Sequence, residues 1–138
     1  MKTNAFKLFL FAIALVLNCA FVSAQGENNF IYDTKYENDV MVSKTVFEKE
    51  YDNSLRPKTM YEFKYDTLGR VAEKIAYKWD EKKGAWVNNF HMVCYYNDLS
   101  NTVEVSYTKW DEKTKKYDKD SKRQTYSIED AQAILAKR

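Results

Sequence analysis

The single histidine, His91, stands three residues before Cys94 in Phe90-His91-Met92-Val93-Cys94. An imidazole beside a thiol is the arrangement that activates a cysteine nucleophile. Here the flanking residues alternate as a strand does. A spacing of three on a strand sends two side chains to opposite faces, so the pair cannot act as a dyad. Glu73 and Glu104 also recur inside strand-like stretches. A glycosidase pair would need its carboxylates about 5 to 9.5 Å apart, and a whole strand–turn–strand unit separates these two. Asp118-Lys119-Asp120-Ser121 opens like a calcium loop but lacks the loop's glycine and closing glutamate. No phosphate-binding loop, serine elbow or zinc spacing occurs. The chain therefore reads as a non-enzyme with no catalytic residue, metal ligand or cofactor.

The rings are more suggestive. Trp79, Trp86, Trp110 and Tyr117 gather at two Trp-Asp-Glu-Lys turns. Sugars and peptides both stack on such platforms, and Trp and Tyr carry much of the energy at interfaces. These four are the candidate binding residues of a secreted binding module for a glycan or a protein or peptide ligand. The alternative is a structural or assembly protein, for instance a homodimer, that pairs through a sheet face or by strand addition at an edge. Rings of an ordinary core would look the same in sequence.

The elements that place these rings come in two similar units. Tyr65 to Trp79 returns at an offset of 31 residues as Tyr96 to Trp110, and Lys78-Trp79-Asp80-Glu81-Lys82 meets an identical Lys109-Trp110-Asp111-Glu112-Lys113. A fixed internal period argues for a repeated supersecondary unit. Each unit reads as strand, turn, strand. Val71, Ile75, Tyr77 and Trp79 alternate with Ala72, Lys74, Ala76 and Lys78, a period of two. Gly69 and Gly84 supply left-handed positions for short hairpin loops. If Asp80 pairs with Ala85, Trp79 stands opposite Trp86.

Tyr65-Asp66-Thr67-Leu68-Gly69-Arg70 resembles the Tyr-Asp repeat of large secreted proteins. With Lys78-Trp79-Asp80-Glu81-Lys82 and Trp86, residues 36 to 126 more closely resemble a family of small secreted proteins of gut bacteria, a domain of unknown function. The resemblance implies a β-meander and carries no catalytic residues. The second copy departs from it, with Ser100 and Asn101 in place of Gly69 and Arg70.

Strands are expected over Phe30–Glu37, Val40–Tyr51, Lys58–Tyr65, Val71–Trp79, Trp86–Tyr96, Thr102–Trp110 and about Lys122–Tyr126. Pro57 suits a strand start. Short connections make neighbours in sequence neighbours in space. Ser127-Ile128-Glu129-Asp130 resembles a capping box before a helix over Ala131–Arg138. The predicted fold is all-β: an antiparallel meander of about six or seven strands, curled or half-barrel, with a short C-terminal helix. With Trp79 opposite Trp86, the alternation groups Val71, Ile75, Tyr77, Phe90, Met92 and Cys94 on one face. It groups Val93, Tyr95, Val103, Val105 and Tyr107 on the other. Both faces would be apolar; the helix would cover one, with room left by Ala72 and Ala76, and curling, a partner or a ligand the other.

Residues 1–24 have the pattern of a signal peptide: basic Lys2 and Lys7, an apolar run from Leu8 to Leu17, and Val22-Ser23-Ala24 before the cut. The apolar run is too short to span a membrane comfortably. Asn18 and the apolar Ala20-Phe21-Val22 argue against lipidation at Cys19. Two of the 22 lysines and arginines lie in this leader and no acid does, so the remainder balances the 20 acidic residues. A neutral mature chain offers no field for nucleic acid. Residues 25–138 suit one secreted or periplasmic domain. Its lone Cys94, on an apolar strand face, reads as a buried small hydrophobe.

Overall fold

The computed structural model describes residues 29–136; the expected leader lies outside them. Eight strands run in chain order: β1 (Phe30–Glu37), β2 (Val40–Lys49), β3 (Leu55–Tyr65), β4 (Val71–Asp80), β5 (Ala85–Asn97), β6 (Thr102–Asp111), β7 (Lys116–Tyr117) and β8 (Lys122–Ser127). A helix, α1 (Ile128–Ala136), follows. Every neighbouring pair is antiparallel, and the sheet is not closed. The far edge of β6 is shared: β7 pairs with its end and β8 with its beginning. The two-residue β7 has no counterpart among the expected strands, although it carries Tyr117.

Turn chemistry explains the short connections. Asn38 and Asp39 both have positive φ, 50° and 62°, as a two-residue hairpin loop with the strands' own twist requires. In the β3–β4 turn the Asp66 carboxylate accepts from the backbone N–H of Leu68 and of Arg70, each at 2.9 Å, while Gly69 takes φ 76°. Asp80 does the same for Lys82 and Lys83, with Gly84 at φ 59°. In the β5–β6 turn the left-handed residue is Asn101, φ 52°, one place later than alignment with Gly69 would put it. An asparagine tolerates that conformation where most side chains resist it.

The core lies on one face. Cys94, Val103 and Val105 pack under Ala131 and Leu135 of α1. Val46, Tyr61, Phe63 and Ala76 form a second cluster nearer β1, and Val71 touches both. Ser127 caps α1: its hydroxyl accepts from the Asp130 N–H at 3.1 Å and donates to the Asp130 carboxylate at 2.7 Å.

The expected grouping of faces is wrong in its middle. Trp79 does pair with Trp86 and Asp80 with Ala85, but Ala76 then pairs with Phe90 and Tyr77 with Asn88. Asn89 is an extra residue, a β-bulge, and one extra residue swaps the side on which every later side chain of β5 emerges. Ile75 therefore shares a face with His91 and Val93. Phe90, Met92 and Cys94 fall with Ala76 and Lys74 on the helix side, joined by Val103, Val105 and Tyr107 rather than opposed to them. A second extra residue, Ala72, separates Val71 from Ile75 in the same way.

Candidate functional site

The face turned away from α1 holds the four rings singled out above. Alternation carries Ile75, Tyr77 and Trp79 of β4 onto it, with Trp86, Asn88, His91 and Val93 of β5 and Ser106, Thr108 and Trp110 of β6. The Asp80-capped turn holds Trp79 against Trp86, ring centroids 5.2 Å apart at 73°. The turn after β6 is built alike, with Asp111 accepting from the Lys113 N–H at 2.8 Å. It sets Trp110 against Tyr117 at 5.0 Å and 75°. Both are edge-to-face pairs, each worth roughly 0.5–1.5 kcal/mol beyond simple burial. His91 lies 5.7 Å from Tyr117 and links the second pair to the middle of the sheet. None of the four rings is fully buried.

Polar groups sit among the rings. The Tyr77 hydroxyl donates to Glu62 at 2.9 Å; burial, then that carboxylate, pushes its pKa up to about 12. Glu73 lies 3.1 Å from both Lys64 Nζ and His91 Nε2. Lys64 first, and His91 after it, hold this carboxyl below its ordinary range against partial desolvation. Glu104 shares the face and takes Arg123 at 3.4 Å. All of β5 lies between it and Glu73, two strand spacings of roughly 4.8 Å each plus a two-residue stagger, too far for a paired-carboxylate reaction. His91 and Cys94 do point to opposite faces: Cys94 is buried under α1, and that burial raises its thiol pKa. Among the described residues no cluster of three or more His, Cys, Asp or Glu could hold a metal, and no helix is long and apolar enough to cross a membrane.

Sequence reasoning found the rings but missed Tyr77, His91 and Glu62 beside them. Only the Asn89 bulge brings His91 to this side, and a bulge changes strand length without a residue-type signal. A different opening, of about 390 Å³, lies on the helix side between Met41, Phe63, Leu68, Val71, Tyr96 and Leu135. Its one cationic group, Arg70, is already engaged by Asp66 and Asp98 and stacks on Tyr96.

An open antiparallel meander with one C-terminal helix and a ring-bearing free face is the class this geometry defines. Residues 1–128 match DUF3836, a family of unknown function, and the chain belongs to that family. A solved DUF3836 protein from Parabacteroides distasonis is similar over 79% of this chain and 99% of its own, at 31% identity and a TM-score of 0.70. One from Bacteroides vulgatus matches 72% of this chain and 99% of its own, at 29% identity and TM-score 0.64. A Bacteroides fragilis protein of unknown function shares the fold at 20% identity and TM-score 0.61, over 74% of this chain and 73% of its own. No curated protein matches the chain. The likeness to Tyr-Asp repeat proteins has no support among these matches.

Proposed function

We propose that this protein is an exported, non-enzymatic binding module whose ligand is a glycan held on the helix-free face. One observation carries the reading. Both core clusters and α1 occupy the opposite face, while Trp79, Trp86, Trp110 and Tyr117 stand partly exposed on this one. A sheet face that no described element covers would otherwise carry polar side chains. The rings offer flat apolar surface to the C–H faces of a sugar. Glu62, Glu73, His91, Asn88 and Thr108 lie between and around them as partners for hydroxyls. Glu62 and Glu73 already accept from Tyr77, Lys64 and His91, and each carboxylate has further acceptor positions that a sugar hydroxyl can use without breaking those contacts.

The non-enzymatic part rests on the separation of His91 from Cys94 and on the engagement of Glu73 by Lys64 and His91. Export rests on Lys2, Lys7, the apolar run and Val22-Ser23-Ala24. Mass spectrometry of protein purified from its host tests export: a chain beginning at Gln25 agrees, and an uncleaved cytoplasmic chain refutes it. A glycan array, run beside a peptide library, tests the ligand. Binding to oligosaccharides that is lost in Trp86→Ala with the fold intact is the expected result. Binding confined to peptides, or glycan binding indifferent to Trp86, would overturn it.

A further inference from the structure

Among the described residues β1 has one strand neighbour, β2, so its other side is an edge. Which backbone groups point outward follows from one bond. The Asn29 carbonyl accepts from the Lys49 N–H at 2.6 Å, and the register proceeds Phe30 to Glu48, Ile31 to Phe47. Antiparallel pairs alternate between bonded and unbonded positions, so odd residues of β1 face β2 and even residues face outward. The irregularity opposite Lys35 and Tyr36 falls on β2, where Val42 is the extra residue, so β1 stays regular through Tyr36.

Tyr32, Thr34 and Tyr36 thus present outward N–H and C=O groups. Two antiparallel copies related by a two-fold axis can meet with Asp33, Thr34 or Lys35 at the centre. Centring on Asp33 or Lys35 sets like charges face to face. Centring on Thr34 sets each Asp33 opposite the partner's Lys35, twice over, and each Tyr32 opposite the partner's Tyr36. Like charges directly across a ladder are destabilising, and opposite charges and aromatic pairs are favourable. Lys35 is exposed and spends one contact on Glu37 at 3.0 Å, which leaves donors for a second carboxylate. Tyr36 is 42% exposed, large for a strand tyrosine. Charged side chains on an edge usually repel foreign strands; this pattern excludes mismatched partners and accepts its own.

We propose that the protein forms a two-fold dimer through β1, centred on Thr34, which joins two sheets edge to edge and leaves both ring-bearing faces open. Sedimentation velocity at low salt across a wide concentration range tests it. The wild type should show a reversible dimer. Thr34→Pro removes an outward N–H that β2 does not use, so it should give a monomer with unchanged circular dichroism. Lys35→Asp places acids opposite acids and should weaken the dimer about tenfold or more. Asp33→Lys should do the same with lysines, and an equimolar mixture of the two variants should recover a heterodimer. A wild type that stays monomeric at every concentration would overturn the proposal. So would a dimer unmoved by Thr34→Pro, or two charge variants that fail to recombine.

Discussion

Lys74 offers the sharpest test of the core. Its side chain is 3% exposed in the middle of the helix face, with Nζ donating to the Leu135 carbonyl at 3.1 Å and lying 4.5 Å from the Tyr61 ring centroid. Burial, reinforced by the like charge of Lys44, lowers its pKa from 10.5 to about 8. The unfolded chain thus holds this proton more tightly than the folded one. Stability should rise with pH from about 8 to about 10.5, and below pH 8 the full cost of the buried charge applies. At about 1.4 kcal/mol per pH unit, that cost is roughly 3 kcal/mol. Lys74→Met keeps the length and removes the charge; it gives up the hydrogen bond to Leu135, worth about 1 kcal/mol, and the cation–π contacts with Tyr61 and Phe63, worth about 1 kcal/mol more. The variant should therefore be more stable by about 1 kcal/mol at pH 7, a rise in Tm of roughly 4 °C for a domain of this size. The gain should shrink as the pH passes 8. Denaturant unfolding of both proteins from pH 7 to pH 9 measures it, below the ordinary tyrosine pKa of about 10. A variant less stable than wild type at pH 7, or one with the same pH slope, would refute the reasoning.

Other expectations follow from the turns and the core. Gly84 and Lys115 occupy matching left-handed positions, φ 59° and 55°, and a Cβ at Gly84 would meet open space. Gly84→Ala should then cost about 1 kcal/mol through the backbone alone, while Lys115→Gly should be neutral or stabilising by up to about 1 kcal/mol, both read from denaturant midpoints. Val103 is 0% exposed beneath α1, so Val103→Ala should lose about 2 kcal/mol and loosen the helix, visible as faster hydrogen exchange at Ala131 and Leu135. Asp66, Asp80 and Asp111 are held below the ordinary carboxylate range by backbone N–H groups of their own turns. Their contribution is present above about pH 4 and is lost as pH falls through their depressed values, so Asp80→Asn should flatten the acid limb of the stability curve.

Much of the sheet is legible in the chain. Phe30–Glu37 is a strand over its expected bounds, and Asp80 and Gly84 imply the turn that seats Trp79 on Trp86. Ser127 announces the start of α1. These features are local: alternation, a carboxylate before a glycine, a hydroxyl three residues before an acid. What stayed hidden is what depends on two strands at once. Asn89 and Ala72 are unremarkable residues whose surplus is visible only against the partner strand, yet Asn89 decides which face His91 and Cys94 occupy, and Ala72 decides that of Val71. Lys74 carries no sign in the sequence that its charge goes inside. Its row, with Ala76, turned out to be the buried one.

The central claim is that the ring-bearing face is open and serves a ligand. Acrylamide quenching of tryptophan fluorescence, at two protein concentrations, tests this most directly. Appreciable quenching that does not change on dilution is predicted, because a β1-edge dimer leaves Trp79, Trp86 and Trp110 uncovered. Weak quenching at both concentrations would place the rings in a core, and quenching that appears only on dilution would mean that a second chain covers this face; either result would contradict the account.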